Sequence, residues 1–115
     1  MSKRDVSITL AQILEHAQHA QQICRNRTAS ELNADWKSAL ALERALEIIG
    51  EAVKRLPHEL CDAYPTVEWR LITGMRDRLS HGYDDVDHEI LWNAVNEDLP
   101  KLVETIERML ADTGK

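Results

Sequence analysis

Apolar residues return every three or four positions along most of this chain, the period of helices rather than strands. Between Asp5 and Asn26 the recurring set is Val6, Leu10, Ile13, Ala17, Ala20 and Cys24. These make one face of an amphipathic helix, with His16, Gln18, His19 and Gln21 on its polar side. Thr28-Ala-Ser-Glu31 has the form of a capping box and predicts a short helical turn before Asp35. From Trp36 to Leu56 the residues Leu42, Leu46, Ile49, Val53 and Leu56 form a stripe, while Leu40, Ile48 and Ala52 fall off it. A helix apolar on more than one side is predicted to be central or to line a subunit interface. Pro57 stops it.

Residues 57–64 read as a short helical link. A third long helix is predicted from about Pro65, with Val67, Leu71, Met75 and Leu79 as its buried stripe, Ile72 beside it and Gly82 as a left-handed stop. A polar turn follows at Tyr83-Asp84-Asp85-Val86, and Asp87 is suited to cap the next helix. The last apolar set runs Ile90, Leu91, Ala94, Val95, then Leu99, Leu102, Val103, Ile106, Met109 and Leu110. Pro100 has no amide hydrogen, so a kink or a fresh start is expected near Glu97–Leu99. No internal repeat or linker interrupts the pattern. The expected fold is all-α, an up-and-down bundle of four to five helices with residues 1–115 as one domain.

Composition agrees with that pattern. The 115 residues are 43% hydrophobic and 30% charged, with only four glycines and three prolines, which favours long helices over a sheet and is too apolar for disorder. Two cysteines, Cys24 and Cys61, form neither a CxxC pair nor a disulfide framework, so a reduced, cytoplasmic setting is expected. The N-terminal MSKRDVSITL lacks the apolar stretch of a signal peptide, and no apolar run approaches the length of a membrane span. The net charge of −6 runs against nucleic-acid binding, where a basic footprint is expected. With no Phe, three Trp and two Tyr, a base-stacking platform for single strands is not expected.

Candidate chemistry gathers in Arg76-Asp77-Arg78-Leu79-Ser80-His81-Gly82-Tyr83. Arg76 falls one turn before the predicted helix end, His81 at or just past the last position, and Tyr83 on the turn. The negative end of a helix dipole favours a protonated imidazole. Near neutrality that ring can take a proton from a ribose 2′-hydroxyl or give one to a leaving oxygen. Arg76 offers a planar fork for phosphate and for the extra charge of a phosphorane. Tyr83 has a hydroxyl for phosphate or for the His. Spacing alone fits equally well a routine helix C-terminus closed by glycine.

The segment also has the pattern R-x-x-x-x-H-x-Y and resembles the motif of HEPN ribonucleases, specifically the HepT toxins paired with MNT nucleotidyltransferase antitoxins. Asp77, the polar residue directly after the motif arginine, suits that superfamily. The likeness extends to Leu46-Glu-Ile-Ile-Gly-Glu-Ala52, to Gly74-Met75-Arg76 with its following arginine, and to Asp98-Leu-Pro100, so that it covers nearly the whole chain. The resemblance implies a homodimer whose two motifs face each other across a shared cleft. It implies RNA cleavage without metal or other cofactor, by transesterification through the 2′-hydroxyl. Arg76 and His81 then correspond to the catalytic pair, and Tyr83 to the tyrosine that an MNT partner AMPylates from ATP to silence the toxin. Bulk and negative charge on that hydroxyl would block the entry of RNA. The substrate would be transfer or messenger RNA.

Several residues could support such a site. Asp77, Arg78 and Ser80 lie inside the motif, and Arg70, Arg76 and Arg78 together could give a narrow positive cleft on an acidic body. Glu43, Glu47 and Glu51 recur every four residues and stack on one helix face. Either that face is solvated and relieved by Lys54 and Arg55, or Glu47 or Glu51 turns toward the cleft and orients Arg76 or His81. Asp84, Asp85, Asp87 and His88 have the spacing of neither a zinc site nor a calcium loop, so no metal is expected. The rival to a ribonuclease is a non-catalytic module of the same fold that binds nucleotide or holds a nucleotidyltransferase.

Overall fold

A computed structural model describes residues 1–81 and 87–114, with Arg76, Arg78, Ser80 and His81 described in their backbone only. The described residues form seven helices and no strand: α1 (Lys3–Cys24), α2 (Ala29–Ala34), α3 (Trp36–Lys54), α4 (His58–Asp62), α5 (Trp69–His81), α6 (His88–Glu97) and α7 (Leu99–Thr113). Five are long enough to count as bundle helices, and α2 and α4 are single-turn connectors. The bundle is the expected all-α one.

Local chemistry sets most of the boundaries. The Thr28 hydroxyl accepts from the Glu31 amide and the Glu31 carboxylate accepts from the Thr28 amide, both at 3.1 Å, which closes the capping box at the start of α2. Those bonds hold the Glu31 carboxyl below the ordinary glutamate range. Asp35 caps α3 by accepting from the Ser38 amide at 3.3 Å. Its other oxygen takes the Ser38 hydroxyl at 2.8 Å and the Arg27 guanidinium at 3.0 Å, and these bonds hold its pKa below the ordinary value. Asp87 caps α6 through the Glu89 amide at 2.9 Å.

Near Pro100 the chain makes a fresh start rather than a kink. Helix α6 ends at Glu97, Asp98 is both its C-cap and the N-cap of α7, and Pro100 sits in the first turn of α7, where a missing amide hydrogen costs nothing. The Asp98 amide still closes α6 on the Ala94 carbonyl at 2.8 Å.

The third long helix begins later than Pro65. Residues 65–68 form a turn, and the helical ladder opens only from the Glu68 carbonyl, which accepts from Leu71 and Ile72. One local and one distant contact hold this turn in place. The Trp69 indole donates to the Tyr64 carbonyl at 3.1 Å, and the Thr66 and Thr105 hydroxyls are 3.4 Å apart. Val67 reaches the core from the turn itself. The buried stripe of α5 is therefore Ile72, Met75 and Leu79, and Leu71 is 39% exposed. Spacings of three and four keep a stripe on one side of a helix; the predicted run of fours starting at Val67 drifts around it. Gly82 as a helix stop, and the turn through Val86, lie outside the described residues.

One continuous core joins the long helices. Helix α3 packs against both α1 and α5, and α7 closes the other side of α1. Leu10, Ile13, Leu42, Leu46, Ile49, Leu99, Leu102, Ile106 and Met109 are essentially inaccessible within it. The two-sided apolar character of α3 resolves in two ways. Ala52 is buried, whereas Trp36 and Leu40 stand 66% and 56% exposed on its outer side. Cys24 and Cys61 are free and buried, and burial pushes both thiols above the ordinary range, as expected of inert core cysteines. Among the described residues, no helix is long and apolar enough to cross a membrane.

Candidate active site

The motif rides on α5 at the end nearest α6. Arg76 lies within the helix and His81 is its last residue, as the sequence pattern predicts. They are five positions apart, a rotation of about 140° and a rise of about 7.5 Å along the axis. They therefore occupy different sides of the helix rather than one shared stripe. Tyr83 lies outside the described residues.

One motif side chain has a clear anchor. Asp77 accepts from the Lys54 ammonium at 2.7 Å, which ties the turn beginning at Arg76 to the C-terminal end of α3. Both partners are half-exposed, so the pair contributes to placing α5 more than to stability. Met75 and Leu79, on either side of Asp77 in sequence, are buried against the core, so the helix carrying the motif is held by packing as well as by charge.

The glutamate row on α3 does not behave as a single acidic stripe. Glu47 pairs with Arg44 on its own helix, and Glu51 lies 4.0 Å from Arg55. Lys54, expected to relieve the row, is committed to Asp77 instead, and Arg55 also donates to Gln12 on α1 at 2.7 Å. Glu43 reaches furthest. Its carboxylate lies 3.0 Å from Nε2 of His88, whose Nδ1 is 2.8 Å from the Asn33 side-chain oxygen. His88 appears in the sequence only beside acidic residues, and nothing local points to Glu43 as its partner. The link spans 45 positions and exists only once α6 is packed against α2.

Among the described residues, no three His, Cys, Asp or Glu side chains come together as a metal site. Of the expected positive cluster, Arg70 is exposed at the start of α5. Arg76 and Arg78 follow it on the same helix.

A family model described as "Ribonuclease HepT-like" matches residues 13–109. A Methanocaldococcus jannaschii protein named "Putative RNase MJ0127" is 37% identical over 112 residues, covering 97% of this chain and 93% of its own length. "Probable ribonuclease HepT" of Thermococcus cleftensis is 36% identical over 107 residues, covering 93% of this chain and 97% of its own. "Putative RNase TTE0752" of Caldanaerobacter subterraneus is 43% identical over a shorter stretch, 61% of this chain and 62% of its own length. At the same stringency no solved structure matches the chain.

Proposed function

The chain belongs to the HepT-like ribonuclease family of the HEPN superfamily, and from that premise we propose that it is the metal-independent endoribonuclease toxin of a toxin–antitoxin pair. In this reading residues 1–115 act as one catalytic domain, and two copies bring their α5 ends together over one RNA phosphodiester. His81 moves the proton of the 2′-hydroxyl or of the leaving oxygen, and Arg76 neutralises the charge that builds on phosphorus. Arg78 and Ser80 flank the phosphate, Asp77 holds its turn of α5 through Lys54, and Glu47 or Glu51 orients Arg76 or His81 from α3. The observation that carries the reading is the family match across α1 to α7, with the motif arginine and histidine both on the last turns of α5. Incubating purified protein with RNA in a chelator tests it. Cleavage by the wild-type chain and none by His81→Ala is the expected result, and equal cleavage by both would overturn it. A protein that binds nucleotide or a nucleotidyltransferase but never cuts RNA would establish the non-catalytic module instead.

The proposed homodimer draws support from Trp36 and Leu40, two large apolar side chains one turn apart on the outer side of α3. Leu40→Glu is expected to convert a dimer into a monomer in sedimentation or light scattering and to lower RNA cleavage with it. A charge in the centre of an apolar contact has no partner there. A dimer that survives the substitution places the contact elsewhere.

Regulation by an MNT-type nucleotidyltransferase is proposed to act at Tyr83. The acidic body, net charge −6, suits recognition of a protein partner better than of RNA. Tyr83→Phe is expected to retain most of the toxicity and to lose the AMP mass added on incubation with such a partner and ATP. An AMP adduct that persists in Tyr83→Phe would move the modification to another residue.

A further inference from the structure

Where α1 ends, the chain turns sharply before α2. The Arg27 amide donates to the Cys24 carbonyl at 3.2 Å, Arg25 has φ −61° and ψ 126°, and Asn26 has φ 59°. This is a type II turn, whose third residue needs a positive φ, and Asn tolerates one better than most residues. Contacts from beyond the turn brace it. The Arg27 guanidinium donates to Asp35 at 3.0 Å and to Ser38 at 2.8 Å, and the Arg27 carbonyl accepts from the Trp92 indole at 2.8 Å.

Between this turn and α6 lies a groove of about 610 Å³, open to solvent and within the size range of small-molecule sites. Trp92 and Val95 give it an apolar wall, and Gln21, Asn26 and Asn96 bring side-chain amides to it. Asn96 donates to the Trp92 carbonyl at 2.8 Å, which leaves its side-chain oxygen for a ligand. Among the described residues the charged lining is Arg25 and Arg27, with no carboxylate. Asp35 neutralises Arg27, whereas the exposed Arg25 side chain has no ion pair or hydrogen bond among the described residues. On a chain of net charge −6, one unpaired cation beside an indole and three amides suits an anion with a planar, hydrogen-bonding body. A nucleotide has that chemistry: a phosphate for the guanidinium, a base for the indole and polar base edges for the amides. The charge count favours one unit of a strand over a free nucleotide. A phosphodiester carries a single negative charge and matches a single arginine; a nucleoside triphosphate carries several and would leave most of them unmatched.

We propose that this groove binds one nucleotide of an RNA strand, with Arg25 on the phosphate and Trp92 against the base. None of the residues lining it belongs to α5, so it is a contact separate from the R-x-x-x-x-H-x-Y segment. One indole serves one base, which is compatible with a chain too poor in aromatics for a stacking platform. The choice of RNA as the strand rests on the ribonuclease reading; the nucleotide chemistry of the groove does not.

Fluorescence anisotropy with a 2′-O-methyl RNA oligonucleotide, which lacks the hydroxyl needed for cleavage, measures binding apart from catalysis. Arg25→Ala is expected to weaken binding about five- to tenfold and to lower the slope of log affinity against log salt by about 0.7, the share of one phosphate on a single strand. Arg4→Ala, which removes an exposed arginine at the other end of α1, should change neither. Trp92→Leu should cost on the order of tenfold and Trp92→Phe much less, since Phe keeps a ring for the base. In cleavage assays Arg25→Ala should raise KM by the factor lost in binding and leave kcat unchanged. Equal losses in Arg25→Ala and Arg4→Ala, or an unchanged salt slope, would reduce the effect to net charge and overturn the groove. A wild-type chain that does not bind the oligonucleotide overturns it too, as does displacement by AMP at equal nucleotide concentration, which would mark a site for free nucleotide. Full affinity in Trp92→Leu overturns the base contact. Binding through Arg25 by a wild-type chain that cuts no RNA leaves the groove standing and ends the ribonuclease reading. Cleavage with a KM indifferent to Arg25→Ala does the reverse.

Discussion

His81→Ala is expected to lower kcat for RNA cleavage by about a hundredfold to ten-thousandfold, the contribution of one well-placed proton-transfer group. The effect should fall on kcat with KM little changed, because an imidazole that moves a proton in the transition state adds little to ground-state binding. Arg76→Ala is expected to cost about a hundredfold to a thousandfold, and to raise KM as well, since a guanidinium binds phosphate before the reaction as well as during it. Rate measurements over a range of RNA concentrations separate the two patterns. Thermal unfolding should be nearly the same in both variants. The described core stripe of α5 is Ile72, Met75 and Leu79, with Asp77 tied to Lys54.

The double variant supplies a sharper check. Residues acting on the same phosphodiester work as a unit, so their losses do not add. Arg76→Ala with His81→Ala is expected to be little worse than His81→Ala alone. Fully multiplicative losses would mean that the two groups serve separate steps or separate sites. Cleavage should also weaken with salt, but with a shallow slope. Few phosphate contacts are available on a chain of net charge −6, and each is electrostatic.

How much of this was legible in the residues depends on the range over which each feature is held. The capping box at Thr28–Glu31, the Asp87 cap and the break before Pro100 could all be read directly, because each is decided by bonds within four residues. The start of α5 could not. Pro65 suits a first helical turn and a loop equally well, and the turn that forms carries a contact from Thr66 to Thr105 on α7, 39 positions away. Charge partners were the least legible. Lys54 follows Glu51 by three residues yet pairs with Asp77, and His88 pairs with Glu43 across most of the bundle. The motif was legible through resemblance alone, since a histidine beside a glycine at a helix end is ordinary.

The same dependence on tertiary placement predicts opposite outcomes for two adjacent residues. Ile72→Ala is expected to destabilise the protein by about 2–4 kcal/mol, and Leu71→Ala by well under ~1 kcal/mol. Both side chains are aliphatic, of equal size, and in the same turn of α5. Ile72, however, is 3% exposed inside the core that α5 shares with α3, and Leu71 is 39% exposed toward solvent. Truncating Ile72 removes its apolar burial and leaves a cavity that a helix pinned by Met75, Leu79 and the Lys54–Asp77 pair cannot collapse to fill. Truncating Leu71 removes surface that water already reaches. Chemical denaturation of the two variants, with unchanged m-values, measures the difference. Equal losses would return Leu71 to the buried stripe and rotate α5 about its axis.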